Sequence, residues 1–200
     1  MIEIRKATLA DAAGIVRIGR DVFTTTFGHS VPEPELLAYL DSAYTEPLIT
    51  AELKDPAKDV IVAVHRHDSH GPDTSPTEAE PDTGKALVAD GAVVAFAQLT
   101  RGTSVDEPCV ASLAHAESSV ELQRLYVDNS YHGKGIGSRL AGTTEDIARK
   151  EGFTHMWLGV WEENGVAARV YAKLGYSPIG FHDFAVGSIV QRDDILMKQL

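Results

Sequence analysis

Six consecutive residues, His132-Gly133-Lys134-Gly135-Ile136-Gly137, carry the clearest chemical signal in the chain. Alternating glycines remove every second Cβ, so an anionic ligand can approach backbone N–H groups. A helix starting behind them adds about half a positive charge at its N-terminus, which makes the loop a pyrophosphate cradle. The alternative is a glycine-rich turn that only packs tightly. Two nucleotide-binding readings fail on spacing. A P-loop needs Ser or Thr after its lysine, and here Gly135 follows Lys134. A dinucleotide fold needs G-x-G-x-x-G after its first strand, whereas this G-x-G-x-G loop comes after several elements.

About 30 residues on stands a second signal, Asn164-Gly-Val-Ala-Ala-Arg-Val-Tyr171-Ala-Lys-Leu-Gly-Tyr176. The two together, in this order, resemble the GNAT superfamily of N-acetyltransferases. Its acetyl-CoA signature, Gln/Arg-x-x-Gly-x-Gly/Ala, lies at a strand–helix junction and precedes an Asn-initiated helix with a tyrosine near its end. Gly135 and Gly137 match; His132 stands where Gln or Arg is usual. A narrower likeness lies in TFGHSVPEPELLAYLDSAYTEP, ELQRLYVDNSYHGKGIGSRL, LGVWEENGVAARVYAKLGY and QRDDILM, which are similar to the Pai-type spermidine/spermine N-acetyltransferases of bacteria.

That resemblance implies direct acetyl transfer from acetyl-CoA, as co-substrate, to a primary amine of a small molecule, a polyamine first among them. A protein N-terminal or lysine acetyltransferase is the alternative enzyme, and a non-catalytic acyl-CoA sensor the alternative class. Tyr171 matches the family's tyrosine, the general acid at the CoA sulfur; otherwise it is a core aromatic at helical spacing from Ala167 and Leu174. Glu121 lies eleven positions before His132, the spacing of the catalytic glutamate in histone-type members. It is the candidate base, with a surface strand residue and a water chain as the competing readings. Leu125, Tyr126 and Val127 end a strand whose free backbone groups bind pantetheine in the family. His132, Gly133, Lys134, Gly135, Ile136, Gly137 and Ser138 form the pyrophosphate site, with Asn164 heading the second helix. Lys173 either reaches the CoA phosphates or is a solvated helix-end lysine. In the family the first two helices wall the acceptor site. Here they offer Phe27, His29, Glu33, Glu35, Asp41 and Tyr44, carboxylates and aromatic faces that suit a polycation.

These residues need elements to position them. Residues 2–6 alternate as a strand. Thr8 and Asp11 form a capping-box-like start to a helix that runs to about Thr26. A second helix follows Pro34, and a short one follows Pro47 through Leu53. Val60–Val64 is a strand. Residues 66–85 read as a flexible insertion, and Ala86–Ala89, Asp90-Gly91 and Ala92–Leu99 as a hairpin. Gly102–Ser119 reads as irregular. Val120–Val127 is a strand, 136–151 a helix, His155–Val160 a strand and Asn164–Leu174 a helix. Tyr176–Gly180 and Asp194–Lys198 close the chain as paired strands. The expectation is one α/β domain over residues 1–200, a mixed central sheet flanked by helices. The resemblance adds a splay between the fourth and fifth strands.

Composition sets the outer limits. With 200 residues the chain can bury roughly 70% of its unfolded surface in one core. Its 44% hydrophobic and 24% charged content excludes wholesale disorder. A single cysteine, Cys109, excludes a disulfide framework, and no metal site is expected; His65, His67 and His70 are the only cluster of ligand type. The longest apolar run, Ala92–Ala97, is far below the ~20 residues that span a membrane. Glu3, Arg5, Lys6 and Asp11 interrupt any signal-peptide pattern, so a cytoplasmic setting is expected. Eighteen Lys and Arg against 29 Asp and Glu give a net charge of −11, which disfavours nucleic acid and favours cationic partners. A homodimer stays open.

Overall fold

Branched residues at alternate positions build the middle of the sheet. Val60, Val62 and Val64 face one side, Ile61 and Ala63 the other, and all five are buried. The computed structural model describes residues 1–67 and 89–200. Its elements run β1 (Ile2–Lys6), α1 (Ala12–Phe27), α2 (Glu33–Ala43), α3 (Glu46–Lys54), β2 (Lys58–His65), β3 (Val93–Thr100), α4 (Pro108–Ala111), β4 (Ser119–Val127), α5 (Ile136–Lys150), β5 (His155–Trp161), α6 (Gly165–Lys173), β6 (Ser177–Val186) and β7 (Ile189–Gln199). Most of the 66–85 insertion, His70 and all but the last residue of the strand expected at Ala86–Ala89 lie outside the described residues.

The strands form one mixed sheet in the order β1-β2-β3-β4-β5-β7-β6, antiparallel except for β4 and β5. On one face α5 packs Ile136, Leu140 and Ala148 against Val120, Leu122 and Met156. On the other, α1 and α3 pack Ile15, Ile18 and Ile49 against Val60, Val62 and Phe96. The α/β expectation with helices on both faces is met, and so is the splay. The β4–β5 ladder holds at Ser119↔His155, Val120↔Met156 and Glu121↔Trp157 and then stops. Beyond that point β4 pairs only with β3, and a bulge shifts the register between Gln98 and Leu99 as β4 leaves.

Two segments differ from the sequence reading. The closing strands are much longer than expected and form a hairpin through Val186↔Ile189, turned at Gly187 and Ser188. Alternating exposure along β6, an edge strand, dilutes its apolar signal. Gly102–Ser119 is not irregular throughout: it contains α4, started by Pro108 and capped by the Glu107 side chain on Cys109 N–H.

Candidate active site

The splay opens a cavity of about 340 Å³ between β4 and the ends of β5, α1, α2, α6 and the β6–β7 hairpin. Glu121 sits at the last β4–β5 pair, where the strands separate. From Glu121 to Val127 the free strand edge spans about 20 Å. At its far end the chain turns through Asp128–Gly135 into α5. The glycine loop therefore follows the far end of the strand that lines the cavity.

At the loop end, Gly133 and Gly135 have φ of 74° and 72°. An added Cβ at either meets open space, so the left-handed backbone demands glycine, and the open approach leaves the N–H groups reachable. Gly137 lies in the first turn of α5. Ile136 is buried in the core, so it contributes only backbone to an anion. His132 turns back, donating from Nε2 to the Val127 carbonyl at 3.0 Å. Lys134 donates to the Ser130 carbonyl at 3.2 Å and lies over the Tyr131 ring at 4.4 Å. Ser138 is exposed on α5 and Lys173 at the end of α6.

At the cavity end, Asn164 caps α6 by accepting the Ala167 N–H at 3.1 Å. That cap sets the helix that carries Tyr171 to the cavity wall. Tyr171 is buried, and burial pushes its phenol well above the ordinary value, so its proton is retained. Burial also raises the Glu121 carboxyl, against the opposing pull of the Thr103 hydroxyl, Arg124 and His182. Leu125 and Tyr126 line the floor, and Tyr126 takes a 2.9 Å hydrogen bond from the Tyr44 hydroxyl. Arg124 also lines it, with its charge met by Glu52 at 2.6 Å.

The predicted acceptor residues divide. Phe27 lies in the cavity, stacked 4.3 Å from Phe23 and tilted against Trp161 at 5.1 Å; Tyr44 lines it too. His29 stands at its rim, 5.6 Å from Trp161. Glu33 is exposed at the start of α2 and does not line the cavity. Glu35 faces the β6–β7 turn instead, accepting the Ser188 N–H and hydroxyl, both at 2.7 Å. Asp41 pairs with Arg20 at 3.0 Å. Besides Glu121, the cavity holds a second carboxylate, one the sequence reading missed. Asp193 on β7 is pushed up to about 6 by burial, and His182 on β6 faces it. Tyr39 and Phe184, at 5.8 Å in edge contact, complete an aromatic wall with Phe23, Phe27 and Trp161. A wider reading of the closing strands would have found His182, Phe184 and Asp193.

Among the described residues no group of three or more potential ligands could hold a metal ion. His65 Nδ1 is instead 3.0 Å from the Tyr131 hydroxyl. Cys109 lies on α4 beside the Phe181 carbonyl, and burial raises its thiol. No helix among the described residues is long and apolar enough to cross a membrane.

The sequence model of the Acetyltransferase (GNAT) family matches residues 39–176, which include the free strand edge, the glycine loop and Tyr171. The chain belongs to that family. As a GNAT enzyme it transfers acetyl groups, and acetyl-CoA is the co-substrate, which the open glycine cradle at the α5 N-terminus fits. An uncharacterized N-acetyltransferase of Lactobacillus delbrueckii subsp. lactis is 23% identical over 199 residues, covering 100% of this chain and 98% of that one. Among solved structures, the PaiA N-acetyltransferase of Thermoplasma acidophilum in complex with coenzyme A has a TM-score of 0.66 at 20% identity, covering 100% and 99% of the two chains. A putative acetyltransferase of Salmonella typhimurium with acetyl-CoA has a TM-score of 0.58 at 19% identity, covering 100% and 94%. These likenesses carry the GNAT fold.

Proposed function

We propose that residues 1–200 act as one N-acetyltransferase domain that acetylates a primary amine of a small molecule, with polyamines as the preferred class. The observation that carries this reading is the cavity itself: aromatic walls ending on Glu121 and Asp193. Aromatic faces and carboxylates stabilise ammonium groups, and the aliphatic carbons between them pack on the rings. Tyr126, Leu125 and Val127 present the free backbone that holds the pantetheine arm. Gly133, Gly135 and Gly137, with Lys134 and Ser138 beside them, take the pyrophosphate, and Lys173 either adds charge to the CoA phosphates or is a solvated helix-end lysine. Glu121 receives the proton of the acceptor's ammonium, directly or through water. The freed amine attacks the thioester carbonyl carbon; the C–N bond forms and the C–S bond breaks. Tyr171 gives its proton to the departing sulfur and recovers one from the nitrogen as the amide forms.

A cytoplasmic setting belongs to the same proposal, since Cys109 is unpaired. The test is acetyl-CoA-dependent thiol release against a panel of amines, peptides and no acceptor. Spermidine and spermine are expected to exceed monoamines of similar length in kcat/KM. Preference for an N-terminal peptide would support a protein acetyltransferase, and CoA binding without turnover would support a sensor.

A further inference from the structure

The cavity contains a titratable pair that the steps above leave unused. His182 lines the cavity from β6, and its Nδ1 lies 2.6 Å from Oε2 of Glu107. Oε1 of Glu107 accepts the Cys109 N–H at 3.0 Å, so both oxygens of this buried carboxylate are fixed. An ionised carboxylate only accepts, so Nδ1 carries the hydrogen and the neutral ring keeps its lone pair at Nε2. Nε2 faces Oδ2 of Asp193 at 3.9 Å, and the other oxygen of Asp193 is buried without a hydrogen bond among the described residues. Glu121 lines the same cavity from β4, and its carboxyl interacts electrostatically with the ring. Other charged groups nearby are Asp183 next to His182 on β6, Arg124 on β4, Asp194 beside Asp193 on β7, and Arg192 over the Phe181 ring at 4.0 Å. The imidazole is 35% exposed, against 6% for Glu107 and 17% for Asp193. Of the three side chains it is the one most open to bulk water.

We propose that His182, oriented by Glu107, is the relay that takes the acceptor's first proton from Glu121 and passes it to solvent. The inference rests on the reading of Glu121 as base. The N–H bond of the ammonium breaks and its electron pair stays on nitrogen. The proton goes to the Glu121 carboxylate, then to Nε2 of His182, where its charge lies between Glu107 and Asp193. Glu121 is ionised again while the neutral amine attacks. Ammonium plus thioester gives amide, thiol and one proton; that proton leaves through His182, and the other ends on sulfur through Tyr171. His182 acts through Glu121 and is a positioning residue for the proton.

Thiol release is measured with acetyl-CoA and spermidine, or with the panel's best amine if spermidine is not turned over. His182→Gln and His182→Gly are expected to lower kcat about tenfold to a hundredfold while acceptor KM changes little. Added imidazole should restore much of the kcat of His182→Gly and do nothing for Glu121→Gln. Glu107→Gln, which keeps an acceptor for Nδ1 but loses the charge, should fall between His182→Gly and the wild type. Loss of activity in Glu121→Gln with unchanged kcat in His182→Gly would overturn the relay and leave the Glu121 reading standing. Unchanged kcat in both would overturn the Glu121 reading as well. A folded His182→Gly that is impaired but not rescued, with its defect in acceptor KM, would mean that the side chain only shapes the cavity.

Discussion

Tyr171 holds its proton because burial disfavours the phenolate, and its side chain lines the cavity. Tyr171→Phe removes the proton and little volume, so acetyl-CoA affinity should persist while kcat falls roughly 10²-fold or more. Near-wild-type turnover, with chemistry rate-limiting, would remove Tyr171 from the mechanism. Asp193 supplies a pH dependence. Its carboxyl is pushed up to about 6, so below that pH it is neutral and offers no charge to an ammonium or to His182. kcat/KM should therefore fall as pH falls through about 6, and Asp193→Asn should remove or displace that limb. The glycines were legible in sequence because a loop without Cβ atoms before a helix has its own local chemistry, whereas Asn164 and Tyr171 were singled out only by the resemblance to the family's second motif. His182 and Asp193 were not, because only the β6–β7 pairing makes them neighbours at His182↔Asp193. Glu35 misled for the same reason: its partner, Ser188, is distant in sequence.

At the level of elements, the site exists because β4 and β5 pair for three residues and part. Helix α5 then aims its N-terminus at the end of the freed strand. Gly135 ends that approach in a left-handed conformation, and a β-branched residue there is strained by about 1–3 kcal/mol. Gly135→Val should leave a folded protein that no longer binds acetyl-CoA; calorimetry with unchanged affinity would contradict the cradle. The entry of α1 is pinned separately. Asp11 accepts Arg5 Nη1 and Nη2, both at 2.8 Å, and the Thr8 N–H at 2.7 Å, which holds its carboxyl at about 2. Asp11→Ala should cost about 1.5–3 kcal/mol in urea unfolding at pH 7. The folded pKa is depressed, so this contribution is present above the ordinary carboxylate value near 4 and is lost as pH falls toward 2. The gap between wild type and variant should close over that window. The capping pattern at Thr8 and Asp11 was readable from sequence, as were the buried strands; the ends of β6 and β7 were not, because exposed residues alternate along the part of each strand near their shared turn.

Across the whole molecule, a net charge of −11 raises the local concentration of cationic acceptors, an effect that salt screens as the Debye length shrinks from ~10 Å at 0.1 M to ~3 Å at 1 M. The advantage of spermidine over a monoamine should therefore shrink with salt, while the contribution of Glu121 and Asp193, half-buried in the cavity, is screened less. The most direct test of the central reading is the acetylated product itself. Purified enzyme, acetyl-CoA and a mixture of spermidine, spermine, monoamines and an N-terminal peptide would be sampled over time by mass spectrometry, with thiol release followed in parallel. The account predicts one thiol per acetyl group transferred, monoacetylated polyamines accumulating first, and both signals collapsing together in Tyr171→Phe. A peptide or monoamine acetylated first at every salt concentration would contradict the polyamine assignment, and saturable acetyl-CoA binding with no acetylated amine would contradict the catalytic one.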